Sequence, residues 1–294
     1  MPVSSGQGAG GGQRFCLFHR AQSFSRGDEP QGRVLYIHPF AEEMNKSRRM
    51  AALQARALAE VGFDVLQIDL LGCGDSSGDF GDATWQHWVS DVLQGCAWLR
   101  EQSRSRGVRS GDAPLWLWGL RAGCLLATDA AAHLDEPCNF LFWQAPASGK
   151  LMLQQFLRLK VAGDALGGQA SGVMEKMREQ LDAGVPIEIA GYLLGAGLAI
   201  GLEQSRLGPP ACQSHAPRLR WFELSTREEV RPGPATERTL NAWRQAGFDS
   251  EWRMARGPAF WQTLEVEEAP ALITATLAAI AEPTPAARLA LTCA

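Results

Sequence analysis

The segment Pro114-Leu-Trp-Leu-Trp-Gly-Leu-Arg-Ala-Gly-Cys-Leu-Leu-Ala-Thr128 restricts the fold more than any other part of the chain. It reads as a buried strand passing through a Gly-x-x-x-Gly turn into a helix of small residues, the layout of a nucleophile elbow. In the G-x-S-x-G form, the glycines permit a sharp strand-to-helix turn that lifts the central side chain beside backbone N–H donors. Gly119 and Gly123 are present, but the central residue is Arg121. A guanidinium stays protonated at ordinary pH and has no lone pair to offer a carbonyl carbon. Acyl transfer therefore cannot begin at this residue as it does at serine or cysteine.

Alternation of strand and helix surrounds this segment. Arg33–Pro39 and Phe63–Asp69 read as apolar strands, and Lys46–Val61 places Met50, Leu53, Ala57, Leu58 and Val61 at helical spacing before Gly62. A helix over Trp85–Gln102, the strand before Arg121 and a strand over Asn139–Pro146 continue the pattern. Such alternation predicts an α/β core, with a mostly parallel sheet covered on both faces. Strand signals stop over 150–217, where Leu-, Met- and Gly-containing helical patterns predict an inserted helical lid. Within it, Ile189–Leu202 reads as a buried or lid helix. Alternation resumes with strands over Arg218–Leu224 and Ser250–Arg256 and helices over Pro234–Ala246 and Glu265–Ala281. The expected organisation is a core of 14–149 and 218–281, a flexible leader over 1–13 and a loose tail over 282–294.

A formal charge of −4 and a pI near 5.8 supply no broad basic field, which argues against nucleic acid as a partner. Seven scattered cysteines without CxxC spacing indicate neither a disulfide framework nor a metal site, and no cofactor motif is present. That usage fits a reducing cytoplasm, and the Gly/Ser-rich start lacks the basic and apolar regions of a signal peptide. The longest apolar stretch, Ile189–Leu202, is too short to span a bilayer, which leaves an interfacial contact through the lid as the membrane alternative.

In open α/β sheets, ligands gather beyond the carboxyl ends of the strands. Three loops there carry candidate chemistry. The first is His38-Pro-Phe-Ala-Glu-Glu-Met-Asn-Lys-Ser-Arg-Arg49, where an oxyanion-hole loop would lie. It offers His38, Phe40, Asn45 and Lys46 as ligand contacts and Glu42 and Glu43 as bases, or else a solvated helix start with acids favoured by the helix dipole. The second, Asp69-Leu-Leu-Gly-Cys-Gly-Asp-Ser-Ser77, offers Asp69 as a further base, although such a turn is usually structural. The third is the elbow, where Arg121 and the backbone at Ala122 form an anion-favouring helix start. A carboxylate ligand, a phosphate, or Glu42 or Glu43 from the first loop could occupy it.

A triad in this chain order needs a histidine after the last strand. The five histidines are His19, His38, His87, His133 and His215, and the chain instead reads Arg256-Gly-Pro-Ala-Phe-Trp-Gln-Thr263 there. Glu228 and Glu229 follow the preceding strand, where the acid would sit, with no histidine to orient. Cys124, one turn into the helix, is expected to face the sheet rather than act as a thiolate.

The motifs His38–Met50, Asp69–Asp79 and Gly119-Leu-Arg-Ala-Gly123 together resemble the type 2 hydrolase associated with the exosortase A system, over roughly residues 14 to 280. The resemblance implies an α/β-hydrolase fold and a bacterial cytoplasmic protein encoded with exopolysaccharide and exosortase genes. Two functional readings remain open. One is an ester or thioester hydrolase using an activated water, with Glu42, Glu43 or Asp69 as base and Arg121 stabilising the oxyanion. The other is a non-catalytic accessory protein that holds an acyl or anionic small molecule through Arg121.

Overall fold

A computed structural model describes residues 2–3, 12–22, 29–107, 113–166, 172–211, 217–228 and 231–281. In chain order the elements are β1 (Pro2–Val3), β2 (Gly12–Gln13), β3 (Cys16–His19), β4 (Gly32–Ile37), α1 (Glu42–Glu60), β5 (Phe63–Ile68), α2 (Trp85–Arg104), β6 (Leu115–Leu120), α3 (Ala122–Ala131) and β7 (Cys138–Trp143). They continue as α4 (Gly149–Leu166), α5 (Val173–Asp182), β8 (Ile187–Ile189), β9 (Tyr192–Leu194), α6 (Ala196–Gln204), β10 (Arg218–Ser225), α7 (Pro234–Gln245), β11 (Asp249–Arg256) and α8 (Pro270–Ala281).

Seven strands form the main sheet in the order β11-β10-β7-β6-β4-β5-β3. All its pairings are parallel except that of β3 with β5. Side chains alternate across this sheet as the two-residue strand period requires. Val34, Tyr36, Trp116, Trp118, Leu141 and Trp143 face one way, into a core with residues of α1 and α8. Leu35, Ile37, Leu117, Phe140 and Phe142 face the other, against α2, α3 and α7. Both faces are thus buried, which explains why the central strands read as continuous apolar runs. The parallel sheet, its reversed order and its flanking helices make this the α/β-hydrolase fold.

Several boundaries differ from the sequence expectation. β3 escaped notice because it is a short, half-exposed edge strand without apolar alternation. α1 starts at Glu42 instead of Lys46, directly after the positive-φ residue Ala41, with both glutamates in its first turn. α8 starts at Pro270, not Glu265. Within 150–217 the pattern is not wholly helical: β8 and β9 form an antiparallel hairpin, and the apolar stretch from Ile189 divides among the end of β8, β9 and α6. Of the expected leader, the described residues are 2–3 and 12–13, which pair as β1 and β2, whereas the expected tail lies outside the described residues.

Candidate functional site

β6 ends at Leu120, α3 begins at Ala122, and Arg121 between them has φ 54° and ψ −120°. This is the strained turn of an elbow, and both glycines are needed for it. A Cβ at Gly119 would stand 2.5 Å from the Cys124 backbone nitrogen, and one at Gly123 only 2.2 Å from the Ile37 carbonyl oxygen. The turn therefore presses against the end of β4, which brings the loop after β4 alongside Arg121.

That loop supplies the partner for the guanidinium. Ala41 also holds a positive φ, 50°, immediately before α1, and the turn projects Glu43 towards the elbow. Arg121 donates from Nε and Nη2 to Glu43 Oε1 at 3.2 and 3.1 Å, and from Nη2 to Gln155 Oε1 at 3.0 Å. Its guanidinium carbon lies 5.7 Å from the centroid of the Trp261 ring, within cation–π range. Both ionic side chains are nearly buried, at 10% and 11% exposure. Burial pushes the Glu43 carboxyl above its ordinary range, and the Arg121 charge opposes that rise. Of the two glutamates that could clasp Arg121, the structure pairs Glu43.

Trp261, in the loop after β11, stands where the triad histidine would be required. On the acid side, Glu228 is exposed and Glu229 lies outside the described residues. His38 is buried with both ring nitrogens engaged: Nδ1 lies 2.8 Å from the Pro39 carbonyl and Nε2 3.3 Å from the Leu70 N–H. This pattern fits a neutral ring donating from Nδ1 and accepting at Nε2, and burial holds its pKa below the usual value. Cys124 is fully buried, with its sulfur 3.2 Å from the Gly119 carbonyl, and burial pushes its thiol far up. It therefore faces the core, as expected, and is no thiolate nucleophile.

A cavity of about 350 Å³ adjoins the clasp, lined by Phe40, Glu42, Met152, Phe156, Leu159 and Trp261 together with Glu43, Lys46, Gln155 and Gln262. Phe40 meets Phe80, Trp88 and Phe156 edge to face, which fixes the cavity's inner wall. One Glu42 oxygen, Oε2, is buried without a hydrogen-bond partner. Asn45 is exposed and donates to the Tyr192 hydroxyl at 3.4 Å. Ala122 is buried at the start of α3.

Asp69 is not brought to this cavity. Its Oδ2 accepts from Arg48 at 3.0 Å and from the Asp75 N–H at 3.1 Å, and it lines a different recess together with His38. Sequence reasoning missed Gln155, Trp261 and the apolar residues of α4. They come from the inserted segment and the loop after β11, where only the Trp at the histidine's place gave a signal. Among the described residues, no group of three or more His, Cys, Asp or Glu gathers to hold a metal ion.

The profile of the family described as serine aminopeptidase, S33, matches residues 28–181, just over half of the chain and including α1, the elbow and α3. The chain belongs to the serine aminopeptidase S33 family. Curated relatives are lipase-like. Protein ABHD12B of Homo sapiens is 32% identical over 38% of this chain and 29% of its own length. Lysophosphatidylserine lipase ABHD12 of Xenopus tropicalis is 28% identical over 38% of this chain and 27% of its own. The chain thus matches less than a third of the length of these relatives.

Solved structures of similar fold align more completely. Est1E from Butyrivibrio proteoclasticus with bound ferulic acid has a TM-score of 0.63 at 16% identity, covering 92% of this chain and 97% of that one. A soluble variant of monoglyceride lipase from Saccharomyces cerevisiae, with a substrate analogue, has a TM-score of 0.57 at 13% identity over 95% and 93%. At these identities the likeness is one of fold. Within this serine-hydrolase family, the chain carries an arginine at the elbow. No helix among its described residues is long and apolar enough to cross a membrane.

Proposed function

We propose that this S33-family protein is a binding protein and not a hydrolase, taking an acyl-bearing small molecule into the cavity beside Arg121. The observation that carries the reading is the clasp: the elbow side chain is a guanidinium whose charge is already neutralised by Glu43 and whose Nη2 also serves Gln155. Such an arginine cannot attack a carbonyl and already has its charge matched by Glu43, so we assign it the role of holding the loop after β4 against the elbow. Phe40, Met152, Phe156, Leu159 and Trp261 offer the apolar wall that an acyl chain requires. The buried, unpartnered Glu42 Oε2 favours a head group that donates a hydrogen bond, because an unmatched buried oxygen is costly. Lys46 lines the same cavity but is only half-buried, so it can reach water. On the strength of the motif resemblance, we assign this role to a bacterial exosortase and exopolysaccharide setting in the cytoplasm.

The alternative is hydrolysis by activated water, and the unpartnered Glu42 oxygen is the observation that favours it. One experiment separates the two. Dodecanoyl esters and thioesters are offered to wild type, Arg121→Ala and Arg121→Ser, and dodecanamide is titrated while tryptophan fluorescence is followed. The expected result is no turnover above the blank in any variant, since Arg121→Ser still lacks a histidine, together with saturable dodecanamide binding by wild type. Ester turnover by wild type that disappears in Glu42→Gln would establish the hydrolase instead. Failure of dodecanamide to saturate would overturn the binding reading.

A further inference from the structure

A second cleft, of about 210 Å³, lies between α1 and the β3-β5-β4 edge of the sheet, and shares none of its lining with the first cavity. Its floor follows from strand register. Leu17 of β3 pairs with Gln67 of β5, which pairs with Tyr36 of β4, so these three side chains share one face of the sheet. On α1, Met44, Ala51 and Ala52 form the opposite wall, and the two alanines leave the space open. Phe15 and Leu17, 37% and 44% exposed, form part of its lining.

The polar groups here indicate what the cleft would accept. Tyr36 is only 5% exposed and lines the cleft, where no described residue makes a hydrogen bond with its hydroxyl. A phenol at the wall of an open cleft can donate to an occupant. Burial keeps this one protonated, hence a donor. The Gln67 carbonyl oxygen lies 3.0 Å from His19 Nε2, which leaves its amide nitrogen as a second donor. The cleft's charges, in contrast, are already matched: Arg48 and Asp69 pair at 3.0 Å, and both ring nitrogens of His38 are engaged. Two uncommitted donors, apolar walls and no spare positive charge define one ligand class. We infer that this cleft is a binding site for a small, neutral, planar molecule that carries a carbonyl or amide oxygen, accepted by Tyr36 and Gln67. A carboxylate in the same place would face Asp69 without a free cation. Because α1 carries both the cleft's Arg48 and the clasp's Glu43, an occupant would bear on the helix that holds the elbow. This inference is independent of the acyl-binding reading.

The probes are benzamide, benzoate and fluorobenzene, followed by amide chemical shifts of the isotopically labelled full chain. Benzamide is expected to shift residues of β3, β4, β5 and the middle of α1. Tyr36→Phe, which keeps the ring, should weaken benzamide by roughly three- to tenfold, the worth of one hydrogen bond. Ala52→Leu, which fills the opening, should abolish binding, and benzoate and fluorobenzene should bind more weakly than benzamide. Equal binding of fluorobenzene would reduce the cleft to an apolar crevice, and equal binding of benzoate would overturn the assignment of charge. Benzamide affinity unchanged in both Tyr36→Phe and Ala52→Leu would remove the site altogether. Spectra of the two variants without probe report whether each retains the fold.

Discussion

Removing the guanidinium while keeping most of its bulk, as in Arg121→Met, leaves Glu43 buried opposite an apolar side chain. A carboxylate in that position can stay charged without a partner, or it can bind a proton. The second route sets a ceiling on the loss, because protonating a carboxyl above its unfolded pKa costs about 1.4 kcal/mol for each pH unit. From the ordinary value of 4.5 for Glu43, the ceiling is about 1 kcal/mol at pH 5.5, about 3 at pH 7 and about 5 at pH 8. The middle figure agrees with the roughly 3–5 kcal/mol typical of buried pairs that lose one member. The sign follows from proton counts. In the variant, the folded state holds a proton on Glu43 that the unfolded state has released, so stability falls as pH rises between the ordinary pKa and the raised one. Wild type should show a weaker slope of the same sign, since burial raises Glu43 there too while Arg121 opposes the rise. Urea unfolding at the three pH values, read by tryptophan fluorescence, measures the difference. Arg121→Met/Glu43→Leu, which removes both charges, should return close to wild-type stability and lose the excess slope. A stability difference between wild type and Arg121→Met that is flat from pH 5.5 to 8 would refute the clasp as the source of the effect.

Two further outcomes follow from the packing around the elbow and the sheet. Gly123→Ala, whose Cβ would stand 2.2 Å from the Ile37 carbonyl, should cost more than about 2 kcal/mol in chemical denaturation, and an unchanged midpoint would contradict the close approach of α3 to β4. Thr276→Val removes the acceptor, 3.1 Å away, of the fully buried Trp143 indole N–H; the expected loss is about 1–3 kcal/mol, and a neutral result would show that the indole finds another partner.

The central sheet was legible because its strands are buried on both faces and therefore read as short apolar runs between helical patterns. The elbow was legible because only glycine fits at 119 and 123, a requirement that shows in sequence as spacing. The edge strand β3 and the β8–β9 hairpin were not, since half-exposed strands of three or four residues carry too few side chains to set a period. For the site, sequence order brought Arg121 and the loop after β4 together, but it could not choose between Glu42 and Glu43. That choice depends on the dihedral angles of Ala41 and the resulting phase of α1, which no residue pattern encodes. Gln155 was beyond reach for a related reason: its approach depends on how α4 folds back from the inserted segment.

The elbow retains its strain although the nucleophile that would need it is gone. A non-glycine residue at φ 54° is held only where its surroundings dictate it, at a cost of roughly 1–3 kcal/mol. Here the surroundings are the Arg121 N–H bonded to the Trp143 carbonyl at 3.0 Å and the two glycine approaches on either side. A relaxed turn would aim the side chain elsewhere, and the guanidinium would lose Glu43, Gln155 and Trp261 together. The same geometry that would present a serine hydroxyl thus presents a fixed cation, and the clasp couples three separate pieces of chain to the end of β6. In this protein the strained turn acts as an anchor for the cavity wall, which is why substitution at Arg121 should be read first in stability and ligand binding and only then in turnover.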